Sequence, residues 1–181
     1  MPTALDVADF FIEHEKNSDD PMTNMRVNKY VYLAQGYSLA KLGKPLFDDQ
    51  IQAWDYGPVV PALYHLFKSD VKAEPILSPV TELTSGVFSR EQIDILTQVM
   101  IDYGRYSTGQ ISSMTHERGS PWYRAYVKGA NNPISQEDMA RYFSGIVGKS
   151  VIERAMEEPL PGYVDENNHM ILPMDFDDED D

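Results

Sequence analysis

The sequence predicts a mainly α-helical domain of six to eight helices, and three observations carry that prediction. Pairs that can cap a helix recur along the chain: Thr3 with Asp6, Ser89 with Gln92, Ser107 with Gln110, and Ser135 with Asp138. In each, a hydroxyl can accept from the backbone three residues on. Apolar residues after these pairs recur at helical spacing, and hydrophobic residues make up 42% of the 181 residues, enough for one core.

The elements follow in order. Thr3 caps a first helix over Ala4 to His14, with Leu5, Ala8, Phe11 and Ile12 on one stripe. Asp20-Pro21 or Thr23 starts a second that reaches Leu42 before Gly43, its stripe being Val27, Tyr30, Val31, Ala34 and Tyr37. This longest and most apolar helix belongs at the centre of the core. A short strand or strand pair is expected within 46–56, centred on Ile51 to Asp55. A third helix runs from a Gly57-Pro58 corner to Lys68, burying Val60, Leu63, Tyr64 and Phe67. Residues 72 to 88 read as a long irregular connection with a short strand near 76–78.

Ser89 opens a helix carrying Ile93, Leu96, Met100 and Ile101 and ending at Tyr103, with Gly104 as its stop. Ser107 opens a short helix over Thr108 to His116, and Ser120-Pro121 opens another carrying Trp122, Ala125 and Tyr126. Asn131-Asn132-Pro133 interrupts the chain before a helix that buries Met139, Tyr142, Phe143 and Ile146. Residues 1–150 thus form one helical domain. Residues 151–181 form an acidic C-terminal extension with a short helix over Val151 to Glu157, a hairpin of Tyr163-Val164 with Met170-Ile171-Leu172, and a mobile tail.

The net charge of −14 is unevenly placed. From Val151 onward eleven acids face one base, Arg154, so the extension holds −10 and the preceding residues −4. A domain with so ordinary a balance has no clustered Lys and Arg with which to hold phosphate backbones, so no direct nucleic-acid binding is expected. The absence of Cys excludes disulfides and thiolate metal sites. A mean hydropathy of −0.41, with no basic leader and no long apolar run, predicts a cytoplasmic protein with no membrane contact.

Candidate chemistry is sparse. His14, His65, His116 and His169 lie far apart, and none has a second ligand at zinc-type spacing. Thr115-His116-Glu117 places an imidazole beside a carboxylate, but neighbours on a helix point apart, and His116 is expected to bond a helix-terminal carbonyl or a tyrosine. Asp19-Asp20 and Asp48-Asp49 read as solvated turn acids. With no phosphate loop or nucleophile elbow, the chain is expected to be no enzyme and to need no cofactor or metal.

What stands out is the stretch Gln52 to Pro61. Gly57 can take a positive φ, and Pro58 and Pro61 stiffen the path on either side of Val59 and Val60, so Gly57, Pro58 and Pro61 form a structural corner. Trp54, Tyr56, Tyr64, Tyr103, Tyr106 and Trp122 are the aromatic residues nearest to corners and loops. Rings so placed serve as interface anchors or close the core over helix ends, and the residues leave both readings open.

Asn24-Met25-Arg26-Val27, Lys29-Tyr30-Val31-Tyr32, Gln35-Gly36, Pro45-Leu46-Phe47, Ala53-Trp54 and Gly57-Pro58-Val59-Val60-Pro61 with Tyr64 form a pattern that resembles the Panacea domain family. The second half agrees through Tyr103-Gly104, Ser107, Ile111-Ser112, Thr115-His116 and Pro121-Trp122. The resemblance spans about Phe10 to Ser144. Relatives commonly carry Lys-Leu-Leu-Tyr where this chain has Lys29 to Tyr32. The family includes SocA-like antitoxins and phage-associated GepA-like proteins of bacterial and prophage genomes. It implies an antitoxin that binds and neutralises a small co-encoded toxin, in some members by handing it to a host protease. Partner contact is then expected at Trp54, Tyr56, Tyr64, Tyr103, Tyr106, His116 and Trp122. A second reading makes the acidic extension a nucleic-acid mimic, with the chain a phage-encoded inhibitor of a host nucleic-acid-binding protein.

Overall fold

A computed structural model describes residues 1–18, 20–71, 73–81 and 86–147, together with the backbone of 163–164 and 170–171. Seven helices occur among the described residues: α1 (Ala4–Glu15), α2 (Asn24–Leu42), α3 (Pro61–Leu66), α4 (Arg90–Tyr103), α5 (Thr108–Thr115), α6 (Pro121–Ala125) and α7 (Gln136–Ser144). Strands β1 (Gln52–Trp54) and β2 (Gly57–Val59) pair antiparallel between α2 and α3, and β3 (Tyr163–Val164) pairs with β4 (Met170–Ile171). The chain is mainly α. The expected helix over Val151 to Glu157 and the acidic tail lie outside the described residues.

The helices start where hydroxyls satisfy their first free N–H groups. Thr3, Ser89 and Ser107 each complete a capping box, with Asp6, Gln92 and Gln110 bonding back to the cap backbone. Thr23 caps α2 through the amide of Arg26, and Gly43 ends it in the left-handed conformation at φ 66°. α2 is the central helix, packing against α1, α3, α4, α5 and α7. Every residue from Arg26 to Leu39 is buried. α7 can approach because Gly36 has no side chain: a Cβ there would stand 2.2 Å from Cδ2 of Phe143.

Three expectations are corrected. Gly57-Pro58 does not open the third helix; both residues lie in β2, and the helix begins at Pro61. A proline drives the residue before it toward extended backbone, which acts on Val60, whose ψ is 108°. The helix can start only at the second proline, Pro61. No strand forms at 76–78; Pro75 and Pro79 lack amides for a ladder, and the segment is tied instead by the Ile76 amide to the Met22 carbonyl at 2.7 Å.

The buried face of α4 is Ile95, Leu96, Val99 and Tyr103, whereas Ile93 and Ile101 are 42% and 66% exposed. The helix is turned so that the stripe beginning at Ile95 meets α2. Gly104 closes α4 in right-handed conformation. The long connection is held to α1 by buried Asp9, whose carboxylate accepts from the Val80 and Thr81 amides at 2.8 Å and from the Thr81 hydroxyl at 2.5 Å.

Candidate functional site

The two-residue turn Asp55-Tyr56 joins β1 and β2, a hairpin against which α2, α5 and α6 pack. Gly57 faces Trp54 across the ladder at φ 107°, a conformation that a side chain would strain. The outer edge of β1 is covered by residues 132–134: the Ala53 amide donates to the Asn132 carbonyl and the Ile134 amide to the Ile51 carbonyl, both at 2.8 Å. The hairpin therefore has no open edge on that side.

From below, the hairpin and the start of α3 rest on polar side chains of α2. Asn28 Oδ1 accepts from the Val60 amide at 2.9 Å and so fixes the cap residue at which α3 begins. Asn24 Nδ2 donates to the Tyr64 carbonyl at 2.9 Å. Lys29 Nζ donates to the Pro58 carbonyl at 3.2 Å, although the side chain is only 1% exposed. Burial disfavours the ammonium and lowers the Lys29 pKa from 10.5 to about 7. A Cβ on Gly57 would lie 2.8 Å from that amine.

From the side, α5 and α6 close around the turn. Ser112 Oγ donates to the Tyr56 carbonyl at 3.4 Å, and Thr115 Oγ1 donates to the Ser112 carbonyl at 2.7 Å. Ser120 caps α6, with its hydroxyl on the Thr115 carbonyl at 2.8 Å. That cap fixes Trp122, whose indole donates to the Trp54 carbonyl at 2.8 Å. The His116 ring packs on Trp122 with centroids 3.9 Å apart, and Tyr126 stacks on Trp122 at 4.5 Å while its hydroxyl donates to the Asp55 carboxylate. Burial lowers the His116 pKa, helped by the Lys29 charge and opposed by the carbonyls of Ser112 and Asp55.

The structure thus brings together Trp54, Tyr56, Tyr64, His116 and Trp122. Trp54 and Tyr64 pack edge to face at 4.8 Å, both half-buried at the surface. Trp122 is 5% exposed and serves as the support behind them. Tyr103 and Tyr106 take other neighbours: buried Tyr103 packs on Tyr37 at 6.2 Å, and the Tyr106 carbonyl accepts from Arg26 at 3.0 Å. Of the corner residues, Gly57 and Pro58 shape β2 and Pro61 occupies the first turn of α3.

Asn28, Lys29, Ser112, Thr115 and Tyr126 complete this arrangement. A lysine and an asparagine inside the long central helix were the visible signal for the first two. His116 bonds a helix carbonyl as expected, with Nδ1 2.6 Å from the Ser112 oxygen. Its neighbour Glu117 accepts from the Tyr142 hydroxyl at 2.8 Å, so the two side chains are directed to different partners. Asp20 pairs with Arg26 at 2.8 Å and Asp49 accepts from the Ala4 amide at 3.0 Å. Among the described residues no group of three or more His, Cys, Asp or Glu could hold a metal ion, and no helix is long and apolar enough to cross a membrane. The polar groups around the hairpin are spent on holding it, and what it offers outward is a rigid surface.

The family model described as "Antitoxin SocA-like, Panacea domain" matches residues 27–123, from the first turn of α2 to the middle of α6. The chain is also similar to Antitoxin SocA of Caulobacter vibrioides (strain NA1000 / CB15N), at 28% identity over 125 residues. That alignment covers 64% of this chain and 66% of the relative. No solved structure matches.

Proposed function

The chain belongs to the SocA-like, Panacea-domain antitoxin family, and from that premise we propose that it neutralises a co-encoded protein toxin by direct contact through the surface around the β1–β2 hairpin. The observation that carries this reading is the coincidence of the family match with the clamp. Residues 27–123 include the hairpin, its supports Asn28 and Lys29, and the residues Ser112, Thr115, His116 and Trp122 that close on it.

Half-buried aromatic residues whose backbone carbonyls are held by Trp122, Ser112 and Asn24 lose little freedom on binding, which favours an anchor role for Trp54, Tyr56 and Tyr64. The net charge of −14 suits a basic partner, whose approach it would accelerate. The role is non-enzymatic and cytoplasmic, and delivery of the bound toxin to a host protease is the extension that the family suggests. Co-expression with the neighbouring open reading frame tests the proposal. A toxic neighbour that this chain silences and co-purifies with supports it; a harmless neighbour, or one that the chain neither silences nor binds, overturns it.

A further inference from the structure

We propose that His116 is a pH-gated latch on the Asp55-Tyr56 turn, open when the imidazole is neutral and closed when it is protonated. Both ring nitrogens face backbone carbonyls: Nδ1 lies 2.6 Å from the Ser112 oxygen and Nε2 3.3 Å from the Asp55 oxygen. A carbonyl only accepts, and a neutral imidazole has one N–H. The shorter contact claims it. The Thr115 hydroxyl, 3.4 Å from Nδ1, offers no alternative donor because its proton is committed to the Ser112 carbonyl at 2.7 Å. The neutral ring therefore turns a bare Nε2 lone pair toward the Asp55 oxygen, and two acceptors oppose each other. Protonation places an N–H there, and the turn gains a tie to the end of α5.

The surroundings set where the latch closes. The charged and titratable groups on the packed elements include Arg26 and Lys29 of α2, Asp55 and Tyr56 of the turn, Glu117 and Arg118 after α5, Tyr123 and Arg124 of α6, and Tyr126 at its end. Burial and the Lys29 charge oppose the imidazolium, the two carbonyls favour it, and the first effect is the largest, so closure falls below the ordinary histidine range. The Trp122 ring, its centroid 3.9 Å away and its plane tilted by 55°, packs against the imidazole and holds it in place. The Asp55 carboxylate is engaged by Tyr126 at 2.9 Å and that of Glu117 by Tyr142 at 2.8 Å. A consequence for partner binding rests on the assignment of Trp54 and Tyr56 to the toxin-facing surface, since the latch stiffens the turn between them.

The latch itself is read on the whole chain without any partner, by nitrogen-15 NMR of the His116 ring and of the Tyr56 and Gly57 amides from pH 8 to 5. The expected result is Nδ1 protonated and Nε2 bare at pH 8. Both nitrogens are then protonated in one step below the usual histidine range, the two amides shift with the same midpoint, and their exchange protection rises about threefold or more. In Lys29→Met the coupled step persists at a higher midpoint, which separates it from titration of the lysine. His116→Phe keeps a ring against Trp122 and abolishes the pH response of the turn. A proton on Nε2 at pH 8, turn amides that do not follow the ring, or a response that survives His116→Phe overturns the latch. None of these outcomes bears on whether the hairpin contacts a toxin.

Discussion

Lys29 donates its amine to the Pro58 carbonyl at 3.2 Å from inside the central helix, so a group that prefers water supports the most distinctive turn of the fold. Desolvation is the cause that moves its titration, to about 7. The carbonyl it meets belongs to a residue that has no amide of its own and lies on the ladder edge facing α2. The central helix thus exchanges some stability for a fixed hairpin.

That exchange predicts a pH dependence. Between about pH 7 and 10.5 the unfolded chain binds a proton at Lys29 that the folded chain has released. Stability therefore rises with pH across that window, by up to about 1.4 kcal/mol per unit, and is insensitive to this group below it. Lys29→Met should flatten the slope of urea unfolding free energy against pH and raise the midpoint at pH 7, the gain shrinking toward pH 10.

Gly57→Ala should cost about 2 to 3 kcal/mol, because a φ of 107° strains any side chain and the new Cβ meets Lys29 Nζ at 2.8 Å and Thr115 Oγ1 at 3.0 Å. Gly43→Ala, with a φ of 66° and no atom within 4 Å, should cost about 1 kcal/mol. Chemical denaturation of the two variants beside wild type measures the difference.

Asp9→Ala should cost about 2 to 3 kcal/mol, since it leaves the Val80 and Thr81 amides and the Thr81 hydroxyl without their acceptor. Limited proteolysis should cut faster between Pro75 and Thr81 than in wild type, with α2 still protected.

Trp122→Phe removes the donor to the Trp54 carbonyl and part of the stack with His116 and Tyr126. A loss of about 1 to 2 kcal/mol is expected. Tryptophan fluorescence, then reporting Trp54 alone, should shift as that ring becomes more mobile.

What was legible in the sequence was local. Thr3, Ser89 and Ser107 announce their helices because a cap and its partner sit three residues apart, and Gly43 ends α2 by a conformation few residues tolerate. The fate of Gly57-Pro58 was not legible, since proline's fixed φ suits a strand as well as a first helical turn and only the pairing of Trp54 with Gly57 decides. Ile93 and Ile101 fit a helical stripe as well as Ile95 and Val99 do, and only the position of α2 selects the buried set. The aromatic cluster was half visible: Trp54 and Trp122 stand out by type, but their contact spans sixty-eight residues and depends on Ser120 setting α6. Lys29 was visible as part of the family pattern and as a charge in the central helix, but not as the support of Pro58.

The most direct test of the antitoxin account is a co-purification and growth-rescue assay of Trp54→Ala against the co-encoded toxin, with unfolding measured in parallel. Trp54 is half-buried, its ring meets Tyr64 and His65 and its indole donates to Gln52 Oε1 at 2.9 Å, so the variant should fold with a loss under about 2 kcal/mol. The account predicts that it neither rescues growth nor retains the toxin as wild type does. A folded Trp54→Ala protein that rescues and binds like wild type would contradict it.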